Sequence, residues 1–239
     1  MLGTIVNTAA IALGTIVGTL LHTGIKEKYK RVLFDSLGLA SIVIGLNASI
    51  SHMKESQYPI LFILSIAIGG VVGTWLDLNG RFHRLIKRHS RVSSSATNTS
   101  DGRQSSFADG LITASLLYCI RPLSMLGPVM SALEGDNTLL FTNATLDFVS
   151  SCVFASSYGI GMILSAIILF LWQGSFYLVA QISSQAISNA LMSELLITGG
   201  LLIISSGLSL LNLKDCKTLN LVPSLLVPII WFIIKAFCN

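Results

Sequence analysis

Apolar runs long enough to cross a lipid bilayer recur along the whole chain, and nearly every charged residue lies between these runs. A membrane span needs about 20 largely apolar residues, because each helical residue advances about 1.5 Å along the helix axis. Leu2–Leu21, Pro59–Leu76 and Val222–Phe237 each approach that length. The composition agrees, since 52% of the residues are apolar and 11% are charged, with a mean hydropathy of +0.76. We therefore predict an integral membrane protein.

The apolar runs predict an all-α, polytopic transmembrane helix bundle of seven to eight spans, because a helix satisfies its own backbone polar groups in lipid. Two runs leave the count open: Leu37–Ile50 is short, and Ser175–Met192 contains many polar side chains. The candidate spans are Leu2–Leu21, Leu37–Ile50, Pro59–Leu76, Phe107–Met130, Ala144–Trp172, Ser175–Met192, Leu195–Leu211 and Leu219–Phe237.

One hydrophilic stretch, residues 77–106, divides the predicted bundle. Its basic residues and its Ser, Thr, Asn and Gly content are typical of a disordered linker. We therefore predict an N-terminal bundle of three spans at residues 1–76, a linker at residues 77–106, and a C-terminal bundle of four to five spans at residues 107–239.

Lysine and arginine collect in this linker and in the loop that holds Lys26 and Arg31. Short cytoplasmic loops are enriched in these residues, so we predict that both segments are cytoplasmic and, with eight spans, that both chain ends lie outside. The net charge of +4 and the pI of about 9.0 indicate contact with anionic lipid headgroups. Nucleic acid is not an expected partner, because the basic residues lie in short loops beside spans.

The cytoplasmic position of the linker can be tested by labelling Ser94→Cys in a chain whose four native cysteines are replaced by serine. We expect this cysteine to be protected from membrane-impermeant maleimides in intact cells and to react in inside-out vesicles. A matched cysteine at Glu134, in a loop predicted to lie outside, is expected to show the opposite pattern. Labelling of position 94 from outside would reverse the whole orientation.

Glycine spacing indicates close helix packing. Gly14 and Gly18 form a GxxxG motif, at which two helix backbones approach closely in lipid, within one chain or in a homo-oligomer. The sequence GLASIVIG from Gly38 is echoed by GLLIISSG from Gly200, in spans that run in opposite directions in the predicted topology. An inverted repeat, common in secondary transporters, and a chance alignment of Gly/Leu-rich spans are both open interpretations.

Three ionisable residues lie within predicted spans: Asp109, Arg121 and Asp147. Such groups are costly in lipid and are therefore the first functional candidates. Arg121 precedes Pro122, which favours a broken helix with a buried cation; the alternative is that Arg121 ends a half-helix and reaches water. Asp109 and Asp147 lie near the predicted ends of their spans, where a carboxylate can also cap a helix.

Further polar residues predict a lining for a solute path. Hydroxyl groups lie near the two aspartates, and amides lie in the first two spans, where interhelical hydrogen bonding is the simpler interpretation. The pattern lacks the motifs of soluble enzymes, so we expect no catalytic, cofactor or metal site. The other candidate path residues are Thr113, Ser115, Ser151, Ser156, Asn7 and Asn47.

Several stretches resemble one family: GTIVNTAAIALGTIVGTLL, FADGLITASLLYCI, EGDNTLLFTNATLDFVSSCVFASSYGIG, and GGLLIISSGLSLLNLK followed by NLVPSLLVP. They are similar to the YqgA-like bacterial inner-membrane proteins, the domain of unknown function family 554. The resemblance implies a multi-pass protein of the bacterial inner membrane. Arg121-Pro122 departs from the family pattern, which has a small residue after LLYCI. The polar motifs of the family fall on Asn7, Asp109, Thr113, Ser115, Gly135, Asp136, Asp147, Ala155 and Ser156.

These observations lead to two hypotheses about function. The first is a transporter or channel for a small polar solute or ion, since a polar path through lipid needs groups that replace lost water. The alternative is a non-transporting scaffold or regulator that assembles through glycine faces and basic loops. Solute flux separates the two.

Overall fold

The computed structural model describes residues 1–20, 26–82, 84, 114–115, 118–119, 121–184 and 187–238, and in these residues helices are joined by turns and loops, with no strand. This confirms the predicted all-α class. The helices are α1 (Leu2–Leu20), α2 (Glu27–Met53), α3 (Leu61–Trp75), α4 (Pro122–Leu133), α5 (Thr138–Tyr158), α6 (Leu164–Ile182), α7 (Asn189–Leu210), α8 (Thr218–Leu221) and α9 (Leu226–Cys238), with 3₁₀ turns at Ile160–Ile163 and Val222–Leu225.

Within the described residues, six helical segments are long and apolar enough to cross a membrane, and α3 and α4 are shorter apolar helices. The predicted seven to eight spans are therefore roughly consistent with the structure. The described part of the predicted linker begins at Asp77, which forms a turn with Leu76, and continues with helical residues 78–82. Most of the linker lies outside the described residues.

The predicted span Ala144–Trp172 is wrong, because the structure divides it into two helices. α5 ends at Tyr158, and Gly159 follows with a φ of 82°. Glycine adopts a positive φ without a Cβ clash, and so it ends a helix readily. The 3₁₀ turn Ile160–Ile163 then leads into α6. Apolar residues on both sides of this turn conceal it in the sequence.

The predicted span Ser175–Met192 is also wrong. α6 ends at Ile182, and α7 begins at Asn189 after the N-cap residue Ser188. The hydroxyl of Ser188 accepts a hydrogen bond from the backbone N–H of Leu191 at 3.2 Å, as expected of an N-cap. Three described polar residues of this stretch, Ser183, Ser184 and Ser188, therefore lie in the connection between α6 and α7 rather than within a span.

The described chain forms two compact units that interleave along the sequence. Unit 1 comprises Met1–Leu33 and Phe82–Ile182, and unit 2 comprises Phe34–Arg81 and Ser183–Asn239. This grouping differs from the division into residues 1–76, 77–106 and 107–239, because each unit takes helices from both sides of the linker.

Unit 1 is built on the close parallel packing of α1 and α5. A Cβ placed on Gly14 would lie 2.5 Å from the backbone oxygen of Phe148, and one on Gly18 would overlap the backbone oxygen of Cys152. The GxxxG motif is thus covered by α5 of the same chain, as small residues permit in lipid. A core cluster fills the space beside these helices: Ile11, Ala114, Tyr118, Cys119, Ala155, Met162, Ala166 and Leu169.

Unit 2 contains the two echoed sequences, which pack directly against each other. A Cβ on Gly38 would lie 3.0 Å from the backbone oxygen of Gly207, and one on Gly45 would lie 2.5 Å from that of Gly200. α2 and α7 are therefore antiparallel, and the first glycine of each echo meets the second glycine of the other. Any antiparallel helix pair has an approximate local two-fold relation, so this contact is compatible with the inverted repeat and with a chance alignment of Gly/Leu-rich spans.

Candidate functional site

The backbone of unit 1 leaves the helical conformation at Arg121, immediately before α4. Arg121 has an extended backbone, with φ −61° and ψ 135°, and Pro122 occupies the first helical position. A residue before proline is pushed out of the helical region, and proline fits the first turn of a helix because its missing N–H would be unpaired there. The sequence Arg-Pro thus starts α4 and aims the Arg121 side chain toward α5.

Arg121 forms an ion pair with Asp147, near the middle of α5. The Nη1 atom of Arg121 lies 2.7 Å from Oδ1 of Asp147. The Nη2 atom donates to the hydroxyl of Ser150 at 3.1 Å. The side chain of Asp147 is 0% exposed and that of Arg121 is 18% exposed. Charge-assisted hydrogen bonds of this kind are stronger than those between neutral groups, and here the buried carboxylate gains an opposite charge beside it.

Two amides complete the surroundings of the Asp147 carboxylate. The Nδ2 atom of Asn7, from α1, donates to Oδ2 of Asp147 at 3.1 Å. The Nδ2 atom of Asn143 donates to the same oxygen at 2.8 Å and to the hydroxyl of Ser124 at 3.2 Å. An ionised carboxylate only accepts hydrogen bonds, so both amide nitrogens must face it. Side chains from α1, from α5 and from the residue before α4 therefore meet at one carboxylate.

Tyr118 connects this network to the chain before the helix break. Its hydroxyl shares a hydrogen bond with that of Ser151 at 2.8 Å, and the Arg121 guanidinium lies 5.9 Å from its ring centroid. The hydroxyl of Ser124 donates to the backbone oxygen of Tyr118 at 2.6 Å, across the break. We call the following set the polar cluster: Asn7, Tyr118, Arg121, Ser124, Asn143, Asp147, Ser150 and Ser151.

Two acceptors of the polar cluster are unsatisfied. The Oδ1 atoms of Asn7 and Asn143 are buried and have no hydrogen-bond partner among the described residues. Because their nitrogens are held by Asp147, these oxygens point away from the carboxylate. Nearby on the same unit, the hydroxyl groups of Thr4 and Ser115 are also buried and unpartnered within the described chain. Such groups cost free energy unless a ligand or water hydrogen-bonds to them.

The structure brings together four of the predicted path residues: Asn7, Arg121, Asp147 and Ser151. Ser115 lies in unit 1 and is buried, without a hydrogen bond to the polar cluster. The hydroxyl of Ser156 donates to the backbone oxygen of Val153 in its own helix. Asn47 belongs to unit 2 and is exposed. The last two candidates, Asp109 and Thr113, lie outside the described residues.

Two placements correct the expectations from sequence. Asn47 does not join the polar cluster, because it faces outward from α2 while Ala48 and Ser49 beside it face inward. Asp147 is not at a helix end, because α5 begins at Thr138 rather than at Ala144. Its central position excludes a role as a helix cap and makes its burial costly.

Sequence reasoning missed Asn143 and Tyr118 as members of the cluster. Asn143 lies four residues before Asp147 on α5, so the two side chains share one helix face. That spacing was a usable signal, but Asn143 stood outside the predicted span. Tyr118 lies in the stretch LLYCI, where nothing in the sequence separates a core aromatic residue from a hydrogen-bonding one.

Among the described residues, no group of three or more His, Cys, Asp or Glu side chains is placed to hold a metal ion.

Comparisons with known proteins agree with the membrane architecture. Residues 2–233 match the family described as a protein of unknown function, DUF554. The chain is 47% identical over 238 residues to the uncharacterized membrane protein YdfK of Bacillus subtilis, covering 99% of this chain and 98% of that one. It is 24% identical over 233 residues to the uncharacterized protein YqgA of Escherichia coli, covering 95% and 94%. No solved structure matches the chain significantly.

Proposed function

Because the chain belongs to the DUF554 family of membrane proteins, whose description assigns no activity, we propose its function from the geometry of unit 1. It carries a small polar solute or ion across the membrane, and the polar cluster binds that solute. No chemical reaction is part of this proposal.

The buried, unpartnered amide oxygens of Asn7 and Asn143 are the observation that supports it. A network that served only to hold α1, α4 and α5 together would gain stability by pairing these oxygens or by replacing the amides with apolar side chains. Transport sites keep unpaired hydrogen-bonding groups because these groups replace the water molecules that a solute loses when it leaves solution.

The free groups also limit the chemistry of the solute. Arg121 and Asp147 neutralise each other, so the cluster has little net charge to offer. Its free groups are hydrogen-bond acceptors. A small solute or hydrated ion that presents hydrogen-bond donors fits this arrangement. The extended conformation of Arg121 before α4 also supports a solute-binding site here, since interrupted helices frame the binding sites of many transporters.

Flux through proteoliposomes tests the proposal. Purified protein is reconstituted and screened against a panel of labelled small polar metabolites and ions, with protein-free liposomes as the blank. For any solute that is carried, Asn7→Leu and Asn143→Leu are expected to lower the flux at least tenfold, because each removes one free acceptor and one donor to Asp147. The matched control is Asn47→Leu, which removes an exposed amide and is expected to carry solute at the wild-type rate.

Monodisperse elution from size-exclusion chromatography confirms that each variant is folded. Folded Asn7→Leu and Asn143→Leu proteins with wild-type flux would place the solute path elsewhere. If no solute of the panel is carried, the scaffold hypothesis leads. A homo-oligomer would then use a surface other than Gly14 and Gly18, since α5 of the same chain covers that face.

A further inference from the structure

Unit 2 holds a buried carboxylate that the polar cluster does not include. Glu194 lies in α7 and is 0% exposed. Of the candidate spans among the described residues, α7 is the most deeply buried within the protein, and the Glu194 side chain lies on its buried surface. The predicted spans placed Glu194 in a loop between Met192 and Leu195, which is why the sequence did not mark it. A fully buried ionisable group within a span is a functional candidate.

One oxygen of Glu194 is well satisfied. Its Oε1 atom accepts hydrogen bonds from the hydroxyl of Ser56 and from the backbone N–H of Tyr58, the latter at 3.2 Å. Both donors belong to the connection between α2 and α3. These bonds fix the orientation of the carboxylate and close it off from the surface.

The other oxygen has no protein partner. Oε2 of Glu194 is buried and lacks a hydrogen-bond partner among the described residues. Thr198 lies four residues later, on the same face of α7. Its hydroxyl is also 0% exposed and unpartnered within the described chain. Two oxygen atoms thus lie one helical turn apart without the donors or the cation that their burial requires.

No basic side chain of the surrounding elements neutralises Glu194. Lys235 of α9 donates instead to the hydroxyl of Tyr58 at 2.7 Å, and His52 at the end of α2 contacts the backbone oxygen of Ala48. α3 carries no ionisable residue. In the connecting loop, Lys54 and Glu55 are exposed, and Glu55 contacts only Ser193 weakly, at 3.5 Å. Across the described residues, no ion pair involves Glu194.

We propose that Glu194 and Thr198 form a second site, which binds one monovalent cation, either a proton or Na⁺. A buried negative charge without an ion-pair partner is strongly unfavourable, so it must be neutralised. A proton does this by converting Oε2 into a hydroxyl group that donates to Thr198. Na⁺ does it by direct coordination, with the carboxylate and the hydroxyl as two of its oxygen ligands. Carboxylates of this kind bind coupling ions in transporters.

The inference does not depend on the proposed function, because every residue that carries it belongs to unit 2 and its test measures binding without transport. If flux fails and the cation binds, only the proposal for unit 1 is overturned. If flux is observed and no cation binds at Glu194, only this inference is overturned.

The Na⁺ arm of the test is equilibrium binding of radioactive Na⁺ to purified protein in lipid nanodiscs. We expect saturable binding with about one ion per chain, its loss in Glu194→Gln, and at least tenfold weaker binding in Thr198→Val. The matched control is Glu55→Gln, which removes an exposed carboxylate next to the site and is expected to bind Na⁺ like the wild type.

The proton arm uses infrared difference spectra recorded in a buffer without Na⁺. A proton on Glu194 produces the carbonyl stretch of a protonated carboxylic acid, which disappears on titration with base and is absent in Glu194→Gln. Ser56→Ala extends both arms if Glu194→Gln does not fold. It removes a donor to the carboxylate from a loop position and is expected to weaken Na⁺ binding or to shift the frequency of the carboxylic acid band.

Saturable Na⁺ binding that depends on Glu194 assigns the site to Na⁺, and a titrating carboxylic acid band without Na⁺ binding assigns it to the proton. If Na⁺ does not bind and no such band is present at any pH, the carboxylate is ionised and unoccupied, and the inference is wrong. Na⁺ binding that survives Glu194→Gln also overturns it.

Discussion

Replacing Arg121 with methionine is expected to lower the free energy of unfolding by about 3–5 kcal/mol, since removal of one partner leaves an uncompensated buried charge. Asp147 is 0% exposed and has Arg121 as its only ion-pair partner among the described residues. Its two amide donors, Asn7 and Asn143, are neutral and do not replace the lost charge. The measurement is a denaturant titration of the purified protein in lipid-detergent micelles, followed by tryptophan fluorescence.

The double variant Arg121→Met/Asp147→Asn is expected to recover most of this loss, because an uncharged pair of similar shape no longer buries a charge. Lys214→Met is the matched control: it removes an exposed basic residue from a loop and is expected to change the unfolding free energy by less than about 0.5 kcal/mol. If Arg121→Met is as stable as Lys214→Met, the ion pair does not support unit 1.

Valine at Gly14 or Gly18 is expected to destabilise the protein by about 1–3 kcal/mol, because its side chain overpacks the contact between α1 and α5. The nearest atoms at both positions belong to the α5 backbone, which cannot move aside as a flexible side chain can. The two helices must separate, and separation also withdraws Asn7 from Asp147. We therefore expect these variants to lose flux as well as stability.

The control for this change is Gly174→Ala in α6, where an added Cβ meets nothing within 4 Å. It is expected to be neutral or to stabilise the helix by up to about 1 kcal/mol, since alanine has the higher helix propensity. Unfolding is measured as for Arg121→Met. Gly18→Val and Gly174→Ala proteins of equal stability would show that α1 and α5 are not in close contact in the bilayer.

The bilayer, the helical class and the ionic residues of the site were predictable from sequence, because each reflects a large free-energy cost. Long apolar runs indicate lipid as the solvent. Arg121 and Asp147 stand out because charges inside spans require compensation. Asn7 was predicted as a path residue on weaker grounds, and its hydrogen bond to Asp147 makes it part of the polar cluster.

The orientation of side chains around the helices was not predictable. A helix in lipid is apolar on most of its surface, so periodicity does not distinguish its inner face from its outer one. This is why Asn47, which is exposed, was predicted alongside Asn7, which is buried. The turn at Gly159 was missed for a related reason: apolar residues continue through it, and length alone favoured one long span.

The interleaving of the two units has a consequence for how the protein is made. α1 ends at Leu20 and its partner α5 ends at Tyr158, so α1 leaves the ribosome well before α5, and 138 residues separate their C-terminal ends. At about 5–20 residues per second, synthesis of that interval takes about 7–28 s. During this time Asn7 and the glycine face of α1 reside in the bilayer without α5. The contacts that bury Asn7 and the glycine face of α1 therefore form only after α5 has been synthesised, and the core of unit 1 is completed late.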